Sequence, residues 1–218
     1  MREFKISKNP NDCGTLYYRD TVTFEPGLTV LVGCNGCGKS TLIRQIAYKL
    51  EKAKIPYVKY DNLHDGNTNA RSKAAFYGDY SFLGTSLMSS EGENVVLNLG
   101  NVAREIGTLV RCYPESKELW ILLDAIDSGL SIDNVVELKE QLFDTIFEHN
   151  KDKDVYIITA SNEFELCRGE KCFDTYLCKY IDIKSYDDYR EFILKSRERK
   201  DKREAAQAKK QATRRRKR

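Results

Sequence analysis

Gly33 to Thr41, reading GCNGCGKST, sets a glycine, four residues and then Gly38-Lys39-Ser40 after the apolar run Leu28-Thr29-Val30-Leu31-Val32 and before a helix-like run from Thr41 to Leu50. A strand, a glycine-rich turn and a helix start in that order build a cradle for polyphosphate. Gly33, Gly36 and Gly38 let the backbone curl, so that N–H groups along Asn35, Cys37 and Thr41 turn inward, and the helix adds the positive end of its dipole. Lys39 would reach the β- and γ-phosphates, and the hydroxyl of Ser40 would ligate Mg²⁺. The chemistry expected is therefore binding of ATP or GTP.

Composition limits what surrounds this loop. Of the 218 residues 32% are charged, and no apolar run approaches the ~20 residues of a membrane span. A soluble, cytoplasmic protein with no membrane insertion is expected, and MREFKISKNPND has no apolar core of a secretory signal. The seven cysteines follow no repeated spacing, so reduced thiols are expected. Cys34 and Cys37 form a CxxC, but its backbone is needed to wrap phosphate, which argues against a redox or zinc role. Charge is unevenly placed: Lys195 to Arg218 carries thirteen Lys or Arg against three acids, a net of +10, so the rest of a +3 chain stands at −7. The expected division is a body over residues 1–194 and a basic tail, helical or disordered, over 195–218.

The elements that must position the loop follow from pattern. Phe4 to Ile6 and Thr15 to Phe24 look extended and end at the turn Glu25-Pro26-Gly27, predicting a small N-terminal antiparallel sheet. Tyr57 to Tyr60, the apolar run Glu118 to Leu123 and Val155 to Ile158 read as strands buried in a parallel sheet, and Tyr180 to Ile183 as a late edge strand. Between them, Val95, Val96, Leu99, Val102, Ala103, Ile106, Leu109 and Val110 recur at helical spacing, with Ser90 near the N-cap. A second helix starts near Asp133 with Val135, Val136, Leu142, Phe143, Ile146 and Phe147 on one face. Asp61 to Tyr80 reads as a loop near the nucleotide. Strands alternating with helices predict an α/β fold whose ligand sits at the C-terminal strand edges.

Three stretches, in order, resemble the ABC-type ATPases, especially the SMC and recombination-repair branch and its small stand-alone relatives. GLTVLVGCNGCGKSTL resembles their strand, Walker A loop and helix; SSEGE at Ser89 to Glu93 resembles the signature motif; LWILLDAIDSGLS at Leu119 to Ser131 resembles Walker B and the D-loop. The resemblance implies a P-loop NTPase of ABC type, with a mostly parallel sheet flanked by helices and a small antiparallel β subdomain. It implies ATP with Mg²⁺ held by Ser40 and Asp124, and two copies closing on the nucleotide so that Ser90 and Gly92 of one meet the γ-phosphate held by the other. An ATP-dependent homodimer is the object implied.

Two departures bear on catalysis. Where the family has a glutamate after the Walker B aspartate, Ala125 stands, and alanine neither accepts a proton nor orients water. Asp127 is the candidate substitute, with a turn-stabilising role as its alternative. Where the family has a histidine after the next strand, Thr159-Ala160-Ser161-Asn162 stands, and Ser161 or Asn162 would hydrogen-bond the phosphate without supplying charge. Slow ATP hydrolysis is expected, with an essentially non-hydrolysing ATP-gated clamp as the alternative. Asp61 or Asn62 would approach Mg²⁺ in place of the family's glutamine, and Tyr17 or Tyr18 would stack on adenine. The basic tail, with no apolar face to dock, would contact the phosphate backbone of nucleic acid or remain solvated. Between Ser40 and Ser90 there is no room for the helical subdomain of a transporter ATPase, and a nucleotide kinase would leave SSEGE unexplained.

Overall fold

The computed structural model describes residues 1–10, 15–62, 85, 91–128 and 130–216. Two short strands, β1 (Arg2–Lys5) and β2 (Thr21–Phe24), pair antiparallel with Arg2 opposite Phe24. The main sheet has six strands: β3 (Gly27–Val32), β4 (Tyr57–Asp61), β5 (Glu118–Asp124), β6 (Asp154–Ala160), β7 (Lys171–Asp174) and β8 (Lys179–Ile181). Their order is β4-β5-β6-β3-β7-β8; the first five are parallel, and β8 closes the edge antiparallel to β7. The helices are α1 (Lys39–Lys52), α2 (Glu91–Cys112), α3 (Ile132–Leu138), α4 (Thr145–His149), α5 (Phe164–Cys167) and α6 (Tyr186–Arg216).

Both faces of the sheet are covered, which is why the strands read as unbroken apolar runs. The strand period of two still divides them. Val30, Val32, Ile121, Leu123 and Ile157 point to the face packed by α2, α3 and α4. Leu31, Trp120, Leu122, Tyr156 and Ile158 point to the face packed by α1 and the β1–β2 pair. On that second face Trp120 stacks flat on Tyr156 with centroids 4.0 Å apart, and Phe4 meets Trp120 edge-on at 5.3 Å.

The expected helices form, with corrections. Leu99, Val102 and Ile106 of α2 are buried as their spacing requires, while Ala103 is exposed; the side chains of Val95 and Val96 lie outside the described residues. The helix opening at Ile132 carries a π-helical turn, Lys139–Asp144, between α3 and α4. Its buried residues are Val135, Leu138, Phe143 and Ile146, and the five-residue step from Leu138 to Phe143 would leave the apolar face of a regular α-helix. The wider π turn brings Phe143 back to the core.

One element departs from the expected outline. β7 was not expected, being only four residues long, yet it pairs with β3 from Thr29↔Lys171 to Val32↔Asp174. The tail, expected helical or disordered, is helical to Arg216 and continues the backbone of α6 from Tyr186 without interruption. The tail docks without an apolar face: Arg199 donates to the buried Asp174 at 2.9 Å, and Arg203 to the carbonyl of Leu16 at 3.1 Å. Both guanidinium groups lie over the Tyr176 ring, at 5.6 and 5.3 Å. Among the described residues no helix is long and apolar enough to cross a membrane.

Candidate nucleotide site

Parallel strands present all their C-terminal ends at one edge, so the residues singled out by motif converge there. β3 runs into the glycine loop, β4 ends at Asp61, β5 at Asp124, and β6 leads to Ser161 and Asn162. In register, Asp61 lies opposite Asp124, and Leu31 of β3 lies opposite Ala160 of β6. Because β6 separates β3 from β5, the loop strand and the Asp124 strand stand about 10 Å apart, two strand spacings. The end of β6 occupies the gap.

The loop has the conformation that phosphate binding needs. Gly33, Gly36 and Gly38 have φ of 150°, 75° and 110°, a region that side chains disfavour. A Cβ at Gly38 would sit 3.1 Å from the Tyr17 ring, and one at Gly33 would sit 2.5 Å from Cys37 Sγ. Helix α1 starts at Lys39 with no side-chain cap and no acid in its first turn, which leaves its first N–H groups for an anion. Asn35 and Gly36, at the tip, are exposed. Lys39 is held inside the loop, its Nζ donating to the Gly33 carbonyl at 2.7 Å and to Asn162 Oδ1 at 3.0 Å.

The acidic side of the site is buried. Asp124 bonds to the side chain of Ser40, and burial, followed by the charge of Asp61, raises its carboxyl above the usual range against the lowering effect of that bond. Two neighbouring carboxylates beside a hydroxyl are a donor set for a hard divalent cation, so the residues present fit Mg²⁺. Ser40 and Asp124 would hold it, with Asp61 adjacent, and the ion would supply charge neutralisation of the phosphates. Asn62 is committed elsewhere: it accepts from Tyr60 at 2.9 Å and donates to the Ser128 carbonyl at 3.1 Å. It braces the turn after β5.

That turn begins with Ala125 at φ 54°, a left-handed conformation that costs a residue other than glycine about 1 kcal/mol. Asp127, the candidate substitute for a water-orienting glutamate, points away from solvent with 4% exposure. Its Oδ2 accepts from Ser161 Oγ at 2.8 Å, from the Asn162 N–H at 2.6 Å and from the Glu163 N–H at 3.0 Å. Through Oδ2 the carboxylate ties the β6–α5 turn, not the turn before Ser128-Gly129, and its Oδ1 is buried with no hydrogen-bond partner among the described residues. Ser161 is wholly buried in the same network, so Asn162 is the residue that reaches Lys39.

Tyr17 also belongs to the frame. Its ring is fully buried and its hydroxyl donates to the Gly38 carbonyl at 2.8 Å, so it has no face to offer a base; Tyr18, at 63% exposure, does. Burial lifts the Tyr17 hydroxyl above its normal range. Cys34 and Cys37 are buried free thiols, and burial raises that of Cys37. Ser90 lies outside the described residues, and Gly92 is described only as backbone, the second residue of α2. Ser196 and Lys200, which contact the loop from α6, were missed; with Arg199 and Arg203 they recur at i, i+3, i+4 and i+7, a helical face made of polar residues.

The model of the ATPase family associated with various cellular activities (AAA) matches residues 29–170, from the loop strand through β5 and β6 to the end of the α5 turn. The chain belongs to the AAA family. It is thus a P-loop ATPase domain, and binding and hydrolysis of ATP is the activity of that family. No curated protein and no solved structure matches the chain. The matched region of this AAA domain ends before β7, so α6, which lies against the loop, is outside it.

Proposed function

We propose that this AAA domain is a slow ATP-driven switch of the ABC/SMC-like type: ATP with Mg²⁺ closes two copies around the nucleotide, and hydrolysis opens them. The observation that carries the slow rate is the pair Ala125 and Asp127. The first has no group to orient water, and the second spends Oδ2 on three donors of its own fold. The order of the Walker A, signature-like and Walker B stretches supports closure of two copies, with Ser90 and Gly92 facing the partner's γ-phosphate. Lys39 and Asn162 then face the terminal phosphates from the loop side. The end of α6, rich in Lys and Arg and free of acids after Glu204, supports contact with a nucleic-acid backbone.

Mass in solution with and without ATP and Mg²⁺, measured beside phosphate release, tests this reading. A dimer that forms only with ATP, and a turnover below roughly 10 s⁻¹, are expected; a nucleotide-indifferent monomer would overturn the closure. Ala125→Glu decides between a slow enzyme and a clamp that does not hydrolyse. Acceleration by about a hundredfold or more is expected if only the water-orienting group is missing.

A further inference from the structure

Helix α6 meets the phosphate loop at two adjoining peptide groups. Ser196, 4% exposed, accepts the Cys34 N–H on its Oγ at 3.1 Å. One turn later, Lys200 donates to the Asn35 carbonyl at 3.2 Å, and a Cβ at Gly36 would stand 2.8 Å from its Nζ. Among the described residues Lys200 also pairs with Glu204, 3.6 Å away and mostly solvated. The helix is fixed in this position by Arg199 on Asp174, at the end of β7, and by Arg203 on Leu16.

A trans peptide is planar, with its N–H and C=O pointing in opposite directions. When Ser196 takes the Cys34 N–H outward, the carbonyl of the same peptide, that of Gly33, turns inward, and that carbonyl is what holds Lys39 Nζ at 2.7 Å. When Lys200 takes the Asn35 carbonyl outward, the Gly36 N–H of that peptide turns into the cradle. Each contact lies on the outer side of the loop, yet each sets a group on the inner side.

We propose that Ser196 and Lys200 are positioning residues for the nucleotide. They lock the Gly33–Cys34 and Asn35–Gly36 peptide planes so that Lys39 and the Gly36 N–H face the phosphates. Lys200 acts through the loop backbone and not as a phosphate ligand. The proposal rests on the reading of the loop as an ATP site, and it gives α6, which the AAA match leaves out, a part in that site.

The test uses the full chain and titrates a fluorescent ATP analogue with Mg²⁺ against wild type, Ser196→Ala, Lys200→Gln and Lys200→Arg. Amide hydrogen exchange of residues 33–38 and thermal unfolding are followed in parallel. Loss of one orienting bond weakens ATP binding by about fivefold in Ser196→Ala and about tenfold in Lys200→Gln. Faster exchange confined to the loop is expected in both, with an unfolding midpoint unchanged in Lys200→Gln. Lys200→Arg, which keeps a charged donor of full reach where the shorter Gln amide does not, restores binding to within about threefold of wild type. Lys200 lies at the surface end of the contact, so its variants report on the loop even if Ser196→Ala folds poorly. If wild type binds ATP and Lys200→Gln binds it equally well, the positioning role is overturned and the ATP site stands. If wild type binds no nucleotide, the reading of the loop itself fails.

Discussion

Lys39 of the loop and Asn162 at the end of β6 are 123 residues apart in sequence and joined by a 3.0 Å hydrogen bond. This bond exists because β6 lies between the loop strand and the Asp124 strand, so the residue that follows β6 is delivered into the space between Walker A and Walker B. Under the proposed function the amide of Asn162 would share with Lys39 the place where the charge of the terminal phosphate develops. Asn162→Ala is expected to slow phosphate release by about tenfold with ATP affinity held within about threefold. Lys39→Met, by contrast, should weaken ATP binding by about a hundredfold or more. Steady-state phosphate release and nucleotide titration separate the two.

Ala125 carries the strain of the site in its backbone. Replacing it with glycine removes the left-handed penalty, offset in part by the freer unfolded chain, and should stabilise the fold by up to about 1 kcal/mol, or about 2–4 °C in Tm. Since neither alanine nor glycine orients water, phosphate release should not change. Differential scanning calorimetry with a parallel turnover assay checks both halves.

Asp127 organises the turn from Ser161 to Glu163. Asp127→Ala takes the acceptor from the Asn162 N–H, while the Ser161 hydroxyl keeps the Glu163 carbonyl and the Glu163 N–H keeps Ser161 Oγ; it should cost about 1–2 kcal/mol, measured by denaturant unfolding. Because Asn162 belongs to that turn, its contact with Lys39 loosens as well. Full stability together with abolished turnover would instead mark Asp127 as the group that handles the attacking water.

Asp124 has a carboxyl raised above its ordinary range, chiefly by burial. A raised acid favours the folded state while protonated, and that contribution is lost as pH rises through the folded-state pKa. At neutral pH the charged carboxylate is thus a cost that a bound Mg²⁺ would offset. Asp124→Asn does not titrate, so in EDTA at neutral pH it should be more stable than wild type, with the gap closing on acidification. Mg²⁺ should then raise the Tm of wild type and leave that of the variant unchanged.

Removing residues 205–218 leaves Ser196, Arg199, Lys200 and Arg203 in place on the body. ATP affinity should stay within about twofold, while binding to a single-stranded oligonucleotide weakens. Its dependence on salt should flatten as well, the log–log slope falling by about 0.7 for each phosphate that the shortened chain no longer neutralises. A truncated chain that binds the oligonucleotide as before, across a salt series, removes the basic tail from the account.

Much of this was readable in the residues. The glycine loop was, because left-handed turns and a strand-to-helix change leave local marks in residue type. The strands β3, β5 and β6 and the face of α2 were, because burial on both sides of a sheet or along one helix stripe dictates apolar spacing. β7 was not, since four residues are too few to show a period. The π turn was not, since a five-residue step between Leu138 and Phe143 reads as a fault in a helix and not as a device.

By itself the sequence determined the kind of chemistry: a P-loop for ATP or GTP and an acid at the end of a hydrophobic strand, while the alanine in place of a carboxylate was read from the resemblance to the ABC-type ATPases. Those features depend on residues near one another in the chain. Tertiary structure decided which side chains are tools and which are scaffolding. It buried Tyr17 behind the loop, spent Asp127 on a turn, and laid Ser196 against Cys34 across 162 residues of sequence. The physical reason is that a hydrogen bond depends on position and direction in space, and a polar residue in a sequence carries no mark of the partner that folding will bring to it.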